Sequence, residues 1–355
     1  MESESSPKRY DPAEYRVRLF LSVDLSGSTA FKNSTAGEDR EEGITPKWVT
    51  VFQQFYGDFP SRYRGNYQKQ ANELDGDHEC PVIWKAVGDE LVFCSRVKNK
   101  KAVVTAVSAF IDTLHDYRKH LVDEGIDLNV KGSAWLAAFP EPNRAVQLKK
   151  TESDEEFFSA SEALENAADT RPFDYDFLGK AIDTGFRVAS TATRERFTLS
   201  VQLARLFTSI PEGSRLSYQI RIDLPTELKG VNKGIPYPMI YIDTMNHLTT
   251  KKFRTKEREI LQLSSNISNE SISEYLQAYC EVVGTDEIVL PENNESETIP
   301  PPTSYQKLRD LIATHFDQEK GREPQNSGNG NDDGPSEEDS DIGDELEPLE
   351  DNNDD

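Results

Sequence analysis

Along residues 17–24, VRLFLSVD, apolar side chains follow one another almost without a break and stop at a carboxylate, the pattern of a buried strand. LSGST comes next, and Ser26, Ser28 and Thr29 carry helix-starting chemistry. Over 46–66, Trp48, Val51, Phe52, Phe55 and Tyr56 recur at helical spacing, with Pro60 expected to interrupt the helix. VIWKAVGDELVFCSRV (82–97) reads as two short strands about a tight Gly88-Asp89 turn. Val103, Val107, Phe110, Ile111 and Leu114 share one face of a helix over 100–121, and LNVKGSAWLAAF (128–139) reads as another strand. Residues 140–172 are polar and acidic with little periodicity, and read as an insertion or long excursion. FLGKAIDTGFRVAST (177–191) reads as a loop entering a helix, with Ile182, Phe186 and Val188 available for packing. Strands are expected again at 216–224 and 236–243, and one or two helices over 253–282.

The order strand, helix, strand, strand, helix, strand predicts a ferredoxin-like α/β (α+β) sandwich, an antiparallel-rich sheet flanked by helices. It also divides the chain: a disordered N-terminus over 1–14, a catalytic domain over 15–245 that carries the 140–172 insertion, and a helical extension over 246–290. From about 291 to 355 the chain loses its large apolar residues, apart from a short helix expected at 304–316. Its Gly, Asn, Asp, Glu and Pro cannot bury enough surface to offset their ordering entropy, so a mostly disordered acidic tail is expected. No internal repeat is visible.

Charge narrows the partners. The 355 residues carry a formal net charge of -24, a field that repels duplexes and anionic membranes, so neither is expected as a partner. A small triphosphate escapes this objection, because a metal ion and a few local cations can hold it. The three cysteines, Cys80, Cys94 and Cys280, are not spaced as a metal knuckle and fit a reduced compartment. The start, MESESSPKRY, has no apolar core of a signal peptide, and no run is long enough to span a bilayer; a cytoplasmic protein is expected.

Asp24 ends an apolar strand, where an unpaired charge is costly unless a cation or a helix terminus offsets it. The residues after it, Ser26, Gly27, Ser28 and Thr29, would offer backbone N–H groups to phosphate oxygens at a helix N-terminus; the alternative is that Asp24 merely caps that helix. Asp89 sits at the predicted hairpin tip, a common turn residue on its own. In a ferredoxin-like sheet, however, the first strand lies beside this hairpin, so the two carboxylates would meet. Mg²⁺ and Mn²⁺ favour such oxygen sites, completed by substrate phosphates.

VDLSGST, KAVGDE and DFLGKAIDTGFR, in this order, resemble the three signature segments of class III adenylate and guanylate cyclases, over roughly residues 15–245. The resemblance implies two divalent cations, Mn²⁺ or Mg²⁺, on Asp24, Asp89 and the Leu25 carbonyl. It implies base contacts from Lys85, three residues before Gly88, and from Asp176, three before Gly179. It implies catalytic roles for Asp183, where the family has asparagine, and for Arg187. It also implies a homodimer whose sites draw on both chains. The likeness is nearest to the pyrimidine cyclases of bacterial anti-phage signalling (the Pycsar system). From this the expected reaction is UTP to 3′,5′-cyclic UMP and diphosphate, the product acting on a separate effector. The alternatives are CTP as substrate, a conventional adenylate or guanylate cyclase, or a cyclase-like domain that binds nucleotide without turnover.

Overall fold

The computed structural model describes residues 13–35, 45–73, 79–147, 161–210, 218–244, 248–261, 267–292 and 299–320. Residues 1–313 form one compact unit and 314–355 a second, of which only 314–320 are described. In chain order the elements are β1 (Arg16–Ser26), α1 (Ser28–Thr35), α2 (Lys47–Glu73), β2 (Val82–Val87), β3 (Glu90–Val97), α3 (Lys100–Asp123) and β4 (Asn129–Phe139). They continue with β5 (Arg144–Gln147), α4 (Glu162–Thr170), β6 (Tyr175–Leu178), α5 (Lys180–Ala189), β7 (Arg196–Leu199) and α6 (Val201–Thr208). The last are β8 (Ile220–Thr226), β9 (Tyr237–Asp243), α7 (Leu248–Ile260), α8 (Asn269–Val283) and α9 (Thr303–Lys320).

Seven strands form one sheet in the order β2-β3-β1-β4-β7-β9-β8, and β5 and β6 form a separate pair. The β2-β3-β1-β4 half is antiparallel throughout and has the ferredoxin-like strand order; β4 and β7 are the parallel neighbours. The alternation of β1 sorts its side chains. Leu19, Leu21 and Val23 enter the larger core, with Phe55, Phe59, Tyr63, Phe93 and Phe110. Phe20 enters a second cluster on the other face, with Trp84, Trp135, Phe139, Phe177 and Ile182. Ser22 and Asp24 continue the Phe20 face toward the end of the strand, so the candidate chemistry lies on the side that holds β6 and α5.

Pro60 does not interrupt α2, which runs unbroken from Lys47 to Glu73. A proline inside a helix costs about 3 kcal/mol, but Phe52, Phe55, Phe59, Tyr63 and Tyr67 are buried along one face on both sides of it. Each such side chain contributes about 1.5–3 kcal/mol on burial, so tertiary packing outweighs the local penalty. Asp24 is not the last residue of its strand, since β1 continues through Leu25 and Ser26 against β4. The 140–172 excursion carries β5 and α4, not only irregular chain; its residues 148–160 lie outside those described. Both β7 and α6 lie in a stretch the pattern left unassigned.

The described start of the chain packs against α9, which covers the helix expected at 304–316. Ala13 is buried, and the Tyr305 hydroxyl donates to its carbonyl at 2.5 Å, with the Tyr15 and Tyr305 rings 5.5 Å apart. The Pro291 carbonyl accepts the Lys100 N–H at the start of α3. The acidic stretch after residue 320 and the first twelve residues lie outside the described residues. Among the described residues, no helix is long and apolar enough to cross a membrane.

Candidate active site

The turn between β2 and β3 consists of Gly88 and Asp89. Gly88 has φ +63°, and a hairpin of two residues calls for glycine where the first central φ is positive. β3 lies against β1 with Glu90 opposite Asp24, so Asp89 is one residue beyond Asp24 on the neighbouring strand. The Leu25 N–H donates to the Asp89 carbonyl at 3.1 Å, and the Ser28 hydroxyl donates to the Asp89 carboxylate. Gly27, at φ +91°, turns the chain from β1 into α1, and its carbonyl accepts the Phe31 N–H at 2.9 Å. The DLSGS segment and the Gly-Asp turn are thereby tied into one corner. Asp24, Leu25, Ser28 and Asp89 come together; beside them Ser26 ends β1, Gly27 makes the turn and Thr29 stands in the first turn of α1.

The electrostatics agree with this proximity. Burial raises the Asp24 carboxyl above its ordinary value; Lys131 opposes the shift, and the negative charge of Asp89 adds to it. Lys131, on β4, stands 3.7 Å from Asp24. Glu90 is also raised, first by burial, with the Ser22 hydroxyl bond opposing and Asp24 adding. Ser22, Asp24, Glu90, Lys131, Ser133 and Ser190 line a groove of about 190 Å³. The sequence reading missed Ser22, Glu90 and Lys131. The signal available was strand alternation, which puts Lys131 in phase with Ser133 and Trp135 on a face that also carries Asp24.

Lys85 and Asp176 meet elsewhere. Their ion pair is 2.5 Å long, and both side chains are about a quarter exposed, at 30% and 26%. The Lys85 ammonium also lies over the Trp84 ring, 4.6 Å from its centroid. The Trp84 indole N–H donates to the Tyr175 carbonyl at 3.0 Å, which locks β2 to β6 and holds the pair in place.

Asp183 and Arg187 lie four residues apart on the exposed side of α5. Among the described residues, no hydrogen bond or ion pair joins either of them to Asp24 or Asp89. The seat of α5 is nonetheless fixed closely. A Cβ at Gly185 would lie 2.5 Å from the Trp135 indole, and Trp135 is itself stacked on Phe20 at 5.4 Å. At the other end the buried Asn143 accepts the Ala181 N–H at 3.1 Å, and Gly179 is packed against it at φ +137°. Gly185→Ala is expected to lower stability by about 1–3 kcal/mol through overpacking, read by urea denaturation; wild-type stability would show that Trp135 yields without cost.

The Asp24 and Asp89 carboxylates, which the Leu25 carbonyl would supplement, are hard oxygen donors of the kind that Mg²⁺ or Mn²⁺ takes. The raised Asp24 carboxyl, with a second carboxylate beside it, is a place where a divalent cation relieves both desolvation and repulsion. Among the described residues, no three His, Cys, Asp or Glu side chains converge as a ligand group. Any such ion therefore completes its shell with backbone, water or phosphate oxygens.

No family model matches the chain, and no curated protein matches it. Solved structures do. The adenylyl cyclase CyaB from P. aeruginosa is 16% identical, with 66% of this chain and 97% of that one covered and a TM-score of 0.40. The guanylate cyclase domain of RhGC from Catenaria anguillulae, in complex with GTP, is 11% identical, with 66% and 100% covered and a TM-score of 0.43. The guanylyl cyclase Cya2 is 14% identical, with 65% and 93% covered and a TM-score of 0.38. The likeness is one of fold.

Proposed function

We propose that this chain is a nucleotide cyclase that closes a nucleoside triphosphate to its 3′,5′-cyclic monophosphate, with UTP as the preferred substrate. The observation that carries the reading is the joined corner of β1 and the β2–β3 turn, where the Leu25 N–H and Ser28 hydroxyl hold Asp89 beside Asp24. The motif order VDLSGST, KAVGDE, DFLGKAIDTGFR supports it, and the choice of UTP rests on the resemblance to the pyrimidine cyclases of anti-phage signalling.

In the reaction the ribose 3′-oxygen loses its proton and attacks the α-phosphorus. The new bond is O3′–Pα, and the bond broken is the one from Pα to the bridging oxygen, which leaves with diphosphate. Asp24, Asp89 and the Leu25 carbonyl would hold two divalent cations, which supply activation of the 3′-hydroxyl and neutralisation of the triphosphate. The first turn of α1 offers its backbone N–H groups to phosphate oxygens, assisted by the helix dipole. Lys131 faces Asp24 at 3.7 Å, and would be free to pair with the substrate's phosphates once that carboxylate is otherwise engaged.

Lys85 and Asp176 present a donor and an acceptor side by side. Every base offers such a complement on its Watson–Crick edge, so the pair fixes the base's orientation, and the surrounding pocket decides its identity. Arg187 is a permanent cation suited to the charge that develops on the phosphates, and Asp183 can accept a hydrogen bond from the ribose. Since α5 turns both outward, a second copy, docked head to tail, would bring them to the Asp24–Asp89 corner.

The test is an incubation with each of ATP, GTP, CTP and UTP and Mn²⁺, with products identified by mass spectrometry. Cyclic UMP and diphosphate are expected from UTP, and chelation with EDTA is expected to stop the reaction. Product from ATP or GTP alone overturns the pyrimidine assignment; product from none, with metal bound, overturns the cyclase reading.

A further inference from the structure

A residue outside all three motifs reaches the metal corner. Tyr56, on α2, donates its hydroxyl to the carbonyl of Gly88. Gly88 and Asp89 share that peptide unit, so the bond fixes the orientation of the plane from which the Asp89 side chain departs. The ring of Tyr56 is held from behind by Phe52 and Phe55, with centroids 6.5 and 5.8 Å away.

The space where a Cβ would stand on Gly88 is open. Beyond the β2–β3 ladder, three hydrogen bonds among the described residues hold the turn: Leu25 N–H to the Asp89 carbonyl, Ser28 hydroxyl to the Asp89 carboxylate, and Tyr56 hydroxyl to the Gly88 carbonyl. The first two come from the segment that carries Asp24. The third is independent of it and anchors the turn to the helical layer.

We infer that Tyr56 is a positioning residue for the divalent-cation site, orienting Asp89 through the Gly88 carbonyl. The inference rests on the metal reading of Asp24 and Asp89 given above. A carboxylate held in place loses less freedom on binding a cation than one on a swinging turn, so the contribution falls on metal affinity and not on the ring's packing.

The experiment compares the full-length wild-type chain with Tyr56→Phe, which keeps the ring and removes only the hydroxyl. Mn²⁺ binding is measured by titration calorimetry without nucleotide, and the Mn²⁺ dependence of turnover with UTP is measured in parallel. The Kd for Mn²⁺ is expected to rise about three- to tenfold, the worth of one hydrogen bond. The half-saturating Mn²⁺ in the turnover assay should rise in step, with kcat at saturating Mn²⁺ and the metal-free melting temperature close to wild type. Unchanged Mn²⁺ affinity in Tyr56→Phe, with a wild type that binds the ion, overturns the inference alone. A wild type that binds no Mn²⁺ removes the metal reading and this inference with it.

Discussion

Asp24→Ala and Asp89→Ala are each expected to lower turnover about a thousandfold or more while leaving the fold in place. The two residues sit at a corner, not in the core. Asp24 is 29% exposed, and its ion pair with Lys131 is a half-buried one whose loss is worth little. The metal-free melting temperatures should therefore stay near wild type. The diagnostic difference lies with metal present, because a ligand that binds only the folded state stabilises it by about 2.7 kcal/mol at a hundredfold excess over its Kd. Wild type should gain this on addition of Mn²⁺, and both variants should not. Near-wild-type turnover in either would end the metal assignment.

Asp89→Ala, paired with Arg187→Ala, tests whether a site is shared. Asp89→Ala and Arg187→Ala chains, inactive alone, should recover about a quarter of wild-type activity when mixed, since half the dimers are mixed and each has one intact site. Mixed dimers that form and remain inactive would mean that Arg187 serves the corner of its own chain.

What the sequence made legible follows from the kind of burial each segment has. β1, the β2–β3 hairpin, α3, β4 and α5 bury apolar faces bounded by Gly, Asp or Ser, and a periodic reading finds them. At Pro60 local propensity predicts a break in α2, but the apolar face that continues through Tyr63 and Tyr67 overrides it. β7 is four residues long and stops at Leu199, and the next residue, Ser200, already caps α6 by accepting the Leu203 N–H, so neither element has length enough to register. α4 was missed for another reason. The residues it buries are Glu165 and Ala168, and its inner face is largely ionic, which hydrophobic periodicity cannot detect.

At the site, Asp24 and Asp89 were legible because a hairpin beside a first strand forces their ends together. Lys131 and Glu90 enter through register, which needs strand pairing to be known. Tyr56 enters through a helix packed across the sheet, and its spacing marked it only as another apolar-face residue.

The ionic face of α4 should dominate the stability of this side of the molecule. Arg18 on β1 is fully buried, 2.7 Å from the Glu165 carboxylate and 2.7 Å from Asp169 through its Nε, with its guanidinium over the Phe139 and Phe177 rings. Burial works against the guanidinium's charge, but Glu165 and Asp169 more than offset it, leaving its pKa raised. Arg16 joins the cluster through Glu162 and Asp169, at 2.5 and 2.8 Å. Removing Arg18 strands Glu165, while Asp169 keeps Arg16. Arg18→Ala leaves Glu165, 1% exposed, with no cation against it, and the expected loss is about 3–5 kcal/mol. Replacing both ends is different, because no charge is orphaned. Arg18→Met with Glu165→Leu should recover a substantial part of that loss, Asp169 keeping its bond to Arg16. Urea denaturation of the single and double variants measures both terms. A loss below about 1 kcal/mol for Arg18→Ala would mean that water enters the cluster and that α4 is not clamped by it. Arg18 and Asp24 lie six residues apart on one strand, so the double variant should keep its Mn²⁺ affinity, which separates the clamp from the chemistry at the far end of β1.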